Sequence, residues 1–322
     1  MTDTKPDDTL TIENTETSTQ ARPRKVAVTG ASGMIGSEVV RRLSSLGRPV
    51  VKLVRGTPKS TVTEAQWSVE EGLVNPSRLE GLYGVIHLAG ENIAGGRWTE
   101  DMKRRIRSSR VHGTEKLCRD LAKLHRRPKV LVCASAIGYY GDRGTTILDE
   151  TSPPGEGFLP DVCREWEAAT KPASDAGIRV VNVRIGVVIS KEGGALAKML
   201  LPFKMGAGGK VGSGKQYWSW VSHVDVVGVL LHSLDCETLS GPVNAVSPNA
   251  VTNAEFTDVL GSVLHRPTIL PMPAFAAKLA LGQMADDLLL ASAHVVPKKL
   301  EESGYEFQYP QLRECLQHEL NG

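Results

Sequence analysis

The sequence lacks paired cysteines, metal-ligand spacing, an excess of either charge, and any apolar run long enough to cross a bilayer. Each absence narrows the function. Cys118, Cys133, Cys163, Cys236 and Cys315 lie far apart and form no C-x-x-C pair, so neither a disulfide scaffold nor a redox dithiol is expected. The eight histidines include no H-E-x-x-H and no His/Cys cluster at zinc spacing, and no metal site is expected. Lys and Arg number 38 against 36 Asp and Glu, a net charge of +2 that gives no electrostatic case for nucleic acid or membrane partners. With no secretory apolar segment and no internal repeat, the expectation is a reduced, cytoplasmic setting and a small-molecule partner.

What is present is the composition of a globular protein, 41% apolar and 23% charged. Residues 1–24 are rich in Thr, Asp and Glu, hold few large apolar residues, and read as a disordered tail. From Lys25 onward, β-branched runs alternate with amphipathic stretches: KVAVT, a helix after Gly33, PVVKLVR, GVIHLAG, a long helix, KVLVCAS, another helix, then IRVVNVRIGVVI. That rhythm predicts a doubly wound parallel α/β sheet. Thr99 is the expected N-cap of the long helix, with Glu100 and Asp101 in its first turn. Residues 25–192 are therefore read as a nucleotide-binding domain, 193–251 as a smaller substrate-side lobe interleaved with it, and 252–322 as a Pro-punctuated helical domain.

The segment TGASGMIG places Gly30, Gly33 and Gly36 between an apolar strand and a helix beginning near Met34. In that context Gly30 allows a tight turn, Gly33 lets backbone approach a pyrophosphate, and Gly36 lets helix and strand pack closely. The helix N-terminus adds free N–H groups and positive dipole. Residues 25–55 thus read as the first βαβ unit of a Rossmann-type domain holding a dinucleotide. Ser32 offers a hydroxyl to the phosphates or serves as a turn residue. At the end of the second strand, where an acidic residue would hold a ribose 2′-hydroxyl, stands Arg55. A guanidinium suits a 2′-phosphate, so NADP(H) is expected rather than NAD(H). A second glycine-rich segment, GAGGKVGSGKQ, imitates a P-loop, but Gln216 replaces the Mg²⁺-ligating Ser or Thr and no buried strand precedes it.

With TGASGMIG, HLAGENI, SSRVHGTEKL, CASAIGYYGD, RIGVVIS and WVSHVDVV, the chain resembles an extended short-chain dehydrogenase/reductase of the NAD-dependent epimerase/dehydratase type from about Lys25 to its end. HLAGENIAGGRW, AIGYYGD, the WEAA helix, MLLPFKMGAGG and VVPKKLEESGY narrow the resemblance to an atypical epimerase-like subgroup with a C-terminal domain of unknown function. The resemblance implies a cofactor site including Gly30, Ser32, Gly33, Met34, Ile35, Gly36 and Arg55, with Leu88, Ala89 and Gly90 beside the adenosine and ribose. It places Ala134 and Ser135 near the nicotinamide.

The catalytic positions depart from that family. Its Tyr and Lys occur as Y-x-x-x-K, the Lys four residues before a Glu; counting back from Glu167 puts Cys163 in the Lys slot and Leu159 in the Tyr slot. The family's Ser slot holds Ala136, with Ser135 adjacent, and its helical Asn slot holds Arg110, either an anion-binding group or a structural cation. A Tyr works as an acid/base at neutral pH only beside a cation. Tyr139 becomes the expected substitute acid, with Ser135 and Arg110 as its companions. Tyr140, Glu91, Asn92, Arg184, His223 and Asp225 are further candidates, each with a packing, surface or capping role as the alternative. Two functions remain: an NADP(H)-dependent oxidoreductase or epimerase with a non-standard acid/base acting on a small, possibly nucleotide-linked substrate, or a silent NADP(H) sensor.

Overall fold

The computed structural model describes residues 24–321; the expected tail, Arg24 apart, lies outside the described residues. Its strands are β1 (Val26–Thr29), β2 (Val50–Val54), β3 (Glu64–Ser68), β4 (Gly72–Leu73), β5 (Gly84–His87), β6 (Val130–Ala136), β7 (Ile147–Leu148), β8 (Arg179–Ile185), β9 (Val187–Ile189), β10 (Tyr217–Trp218), β11 (Trp220–Ser222), β12 (Gly241–Ala245), β13 (Val251–Thr252) and β14 (His294–Val295). Its helices are α1 (Met34–Ser45), α2 (Glu100–Ala122), α3 (Phe158–Ala168), α4 (Lys171–Asp175), α5 (Gly194–Lys204), α6 (His223–Asp235), α7 (Asn253–Leu264), α8 (Ala274–Leu281), α9 (Gln283–Ala285), α10 (Lys298–Glu302) and α11 (Leu312–Asn321).

Eight strands form one sheet in the order β12-β8-β6-β5-β1-β2-β3-β4, parallel throughout except for β3 against β4. The chain runs outward from β1 through β2 and β3, then resumes at β5 on the other side of β1. Strand order therefore reverses between β1 and β5, and the crevice beyond their carboxyl ends is where an open α/β sheet binds its ligand. Both faces of the sheet are covered, which is why β1 and β5 are buried at every residue. Leu117, Cys118 and Leu121 of α2 pack over one face, and Val39 and Leu43 of α1 with Val226 and Leu230 of α6 pack over the other.

Helix ends follow their sequence signals. The Thr99 hydroxyl accepts from the Met102 N–H at 3.2 Å, with Glu100 and Asp101 in the first turn of α2. At α6 the cap is Ser222, whose Oγ accepts from the Asp225 N–H at 2.8 Å; His223 and Asp225 are not the cap. Asp225 instead accepts from the backbone N–H groups of Gln308 (2.7 Å) and Tyr309 (3.0 Å) and from the Ser222 hydroxyl (2.6 Å). One buried carboxylate thereby ties the C-terminal segment to α6.

A second core, around Leu196, Phe203, Trp218, Trp220, Phe256, Leu260 and Leu316, joins α5, α7 and α11. The P-loop look-alike lies beside it. The Gln216 side chain donates to the carbonyls of Val211 and Leu289, both at 3.0 Å, and a strand follows it rather than a helix.

Candidate functional site

The turn after β1 is built for close backbone approach. Gly30 has φ +64°, and a Cβ there would come within 2.9 Å of the Leu88 backbone. A Cβ on Gly36 would overlap the Gly30 carbonyl oxygen, so α1 can sit this close to β1 only without a side chain. The Gly33 N–H donates to that same oxygen at 3.0 Å, closing the turn. Gly33 caps α1 without a side chain, and the first turn carries no acidic residue, so the N–H groups of Met34, Ile35 and Gly36 keep their positive potential. Ser32 is exposed beside them. His223, the first residue of the neighbouring α6, donates from Nε2 to the Met34 carbonyl at 3.2 Å.

Arg55 follows the last residue of β2, is exposed, and joins no ion pair among the described residues. Beyond β5, the N–H groups of Leu88 and Ala89 donate to Thr29 Oγ1 at 2.9 and 3.1 Å. That hydroxyl must then donate onward to His87 Nδ1, 2.7 Å away, which places the ring proton on Nε2, facing Thr114 Oγ1 at 3.1 Å. The Trp166 indole N–H donates to the same threonine oxygen at 2.9 Å. This buried chain fixes the loop containing Leu88, Ala89 and Gly90, and burial pushes His87 down to about 4.

Arg110 sits against that loop, its guanidinium 3.4–3.6 Å from where a Gly90 Cβ would stand. It donates to the Glu91 carbonyl at 3.0 Å and lies 5.1 Å from the Trp166 ring centroid. Burial lowers its pKa, with Cys163 and Glu91 opposing. The Glu91 and Asn92 side chains are half-buried and exposed respectively, and Asn92 Oδ1 accepts from the Ala94 N–H at 2.9 Å in a local turn.

At the end of β6, Ala134 is buried and Ser135 donates to Glu167 Oε1 at 2.8 Å. Arg184 grips the same carboxylate, Nε to Oε1 and Nη2 to Oε2, each at 2.8 Å, and donates from Nη1 to the Tyr140 oxygen at 2.9 Å. The Tyr140 hydroxyl faces the Asp149 carbonyl and Asn244 Oδ1. Burial pushes it up to about 12 although Arg184 opposes the shift. Tyr139 lies outside this closed network: its ring receives the Arg184 guanidinium 3.5 Å from the centroid, and its hydroxyl bonds to no described residue. Leu159 is buried in an apolar cluster with Trp98, Met102 and Met284, and burial pushes the Cys163 thiol up to about 12. In the sequence Glu167 serves only as a counting mark; Thr29 and His87 are signalled only as polar residues closing the apolar runs VAVT and GVIH, and Thr114, inside α2, carries no local signal.

Residues 26–244 match the NAD dependent epimerase/dehydratase family, and residues 272–319 match a domain of unknown function, DUF1731. An epimerase family protein of Mycobacterium tuberculosis is 40% identical over 291 residues, 90% of this chain and 96% of that protein. The crystal structure of a human epimerase family protein, SDR39U1 isoform 2 with NADPH, superposes with a TM-score of 0.85 at 32% identity, covering 92% of this chain and 99% of that one. A nucleoside-diphosphate sugar epimerase from Corynebacterium glutamicum superposes with a TM-score of 0.77 at 35% identity, covering 92% of this chain and 58% of that one. On sequence and structure alike, the chain belongs to the NAD-dependent epimerase/dehydratase family.

Proposed function

We propose that the protein binds NADP(H) and transfers hydride between its nicotinamide and a small polar substrate, with Tyr139 as the proton-transferring group. The carrying observation is the glycine cradle: Gly30 and Gly36 leave no room for a Cβ, beneath a helix N-terminus whose cap, Gly33, has no side chain. The NADPH in the human relative's crystal structure supports the same cofactor here. In this reading the N–H groups of Met34, Ile35 and Gly36 hold the pyrophosphate, with Ser32 beside them. Arg55 holds the 2′-phosphate, and Leu88, Ala89, Gly90 and Ala134 flank the nucleosides.

Bound NADPH would supply a hydride to a carbonyl carbon. Tyr139 then gives its hydroxyl proton to the carbonyl oxygen, so that the carbonyl becomes an alcohol and the reverse reaction returns both. Arg184, its charge paired with Glu167, stacks on the ring and holds it in place. Arg110 binds an anionic group of the substrate with the guanidinium donors it does not spend on backbone carbonyls. Ser135, committed to Glu167, acts by positioning that carboxylate and Arg184. Nucleotide-linked sugars are the first substrate class to test, given the name of the Corynebacterium relative. The five cysteines are unpaired, in keeping with the cytoplasmic setting we propose.

A second reading, an NADP(H) sensor without chemistry, is favoured by the buried Leu159 and Cys163 in the Tyr and Lys slots. Single-turnover oxidation of bound NADPH across a panel of carbonyl compounds and nucleotide sugars separates the two. Oxidation abolished by Tyr139→Phe supports the enzyme; tight binding with no oxidation across the panel supports the sensor.

A further inference from the structure

The near-neutral total charge conceals a local asymmetry. Eleven large hydrophobic side chains of the described residues are exposed, and seven fall in two segments that lie side by side. Leu201 and Met205 stand at the end of α5 and just beyond it. Ile269, Leu270 and Met272 follow α7, and Phe275 and Leu279 share the face of α8 opposite the buried Ala277. The segments are stitched together by Arg266 Nε to the Lys204 carbonyl, Met272 N–H to the Lys210 carbonyl and Gly212 N–H to the Met272 carbonyl, each at 2.9 Å. These contacts hold the two segments, with their exposed apolar side chains, side by side.

Basic residues predominate on these segments. Residues 193–216 carry Lys198, Lys204, Lys210 and Lys215 and residues 259–285 carry Arg266 and Lys278, against Asp258, which lines one concavity with Lys210 and Ile269, and Asp286 just beyond. Lys278 pairs with Asp286 at 2.7 Å, but Lys204, Lys210 and Arg266 are exposed and join no ion pair among the described residues. Exposed apolar patches of this kind mark interaction sites. A basic rim set against a second copy of itself would repel, so the complementary occupant is anionic. Phe275 is 72% exposed and Leu279 77%, so these side chains protrude from the surface. Protruding apolar tips with lysine heads around them suit the boundary between acyl chains and headgroups, where the tips insert and the ammonium groups stay at phosphate level.

We propose that this face docks the protein peripherally on an anionic phospholipid bilayer. No helix among the described residues is long and apolar enough to cross a membrane.

The test is co-sedimentation of the full chain with phosphatidylcholine vesicles and with the same vesicles containing phosphatidylglycerol, at low and high salt. The protein is expected to partition onto the anionic vesicles and to be released by salt. Joint Phe275→Ser and Leu279→Ser substitution, and separately joint Lys204→Gln, Lys210→Gln and Arg266→Gln substitution, should each weaken partitioning by about tenfold or more while NADPH binding is kept. The salt and lipid dependence of the unaltered chain tests the proposal even if a variant fails to fold. Protein that stays in the supernatant with both vesicle types overturns it, as does partitioning indifferent to Phe275 and Leu279. A stable dimer dissolved by Phe275→Ser, or capture of an acidic amphipathic peptide instead of vesicles, likewise overturns it.

Discussion

Ser135 and Arg184 meet on one carboxylate: the serine hydroxyl and the Arg184 Nε both donate to Glu167 Oε1 at 2.8 Å, and Arg184 Nη2 closes the bidentate pair on Oε2. The pair is nearly dry, with side-chain exposures of 3% and 12%. Removing one charge would strand the other, so Glu167→Leu should destabilise the fold by about 3–5 kcal/mol. Joint Glu167→Leu and Arg184→Met substitution should cost less than the sum of the single changes. A double-mutant cycle in urea measures this, and additive losses would mean that the pair is not a unit.

Stability should fall on mild acidification because of His87. The folded protein protonates this ring only near pH 4, whereas an unfolded histidine does so near 6.5. The neutral ring's contribution is therefore full above pH 6.5 and is lost as pH falls from there toward 4, about 3 kcal/mol in all. His87→Gln should remove that part of the slope between pH 7 and 5. Equal slopes in urea unfolding for both proteins would show that the buried chain does not depend on a neutral ring.

Gly36→Ala should reduce NADPH affinity by at least about tenfold, because the added methyl group overlaps the Gly30 carbonyl and must push the phosphate loop away from α1. Fluorescence titration checks it. Affinity retained in the folded variant would mean that the cradle is not where the pyrophosphate lies.

Tyr139→Phe should leave NADPH binding unchanged and lower turnover by about 10²–10⁴-fold, the usual scale of general-acid catalysis. Ser135→Ala should instead act through Glu167 and Arg184, lowering stability and turnover together. If Tyr139→Phe turns over like the unaltered chain, the proton comes from another group.

The sequence made some features more legible than others. The cradle was legible because glycine spacing between a strand and a helix has a backbone cause that needs no tertiary contact. The outer strand β3, with the sequence EAQWS, was not: it lacks a β-branched run and is held by pairing with β2 at the sheet margin. Arg184 was legible as a candidate but not as Glu167's partner, because register across β6 and β8 sets Ser135 opposite Arg184 and no local pattern encodes that. Asp225 looked like a cap because helix starts favour Asp; only the returning C-terminal chain, more than eighty residues on, reveals the N–H groups it accepts.

The claim of NADP(H) binding rests on the cradle together with Arg55, and titration of the unaltered chain and of Arg55→Asp with NADPH and NADH tests both directly. The unaltered chain should prefer NADPH, and Arg55→Asp should weaken NADPH by roughly tenfold or more and shift preference toward NADH. Equal affinity for the two dinucleotides in both proteins, or no binding of either, would contradict the account.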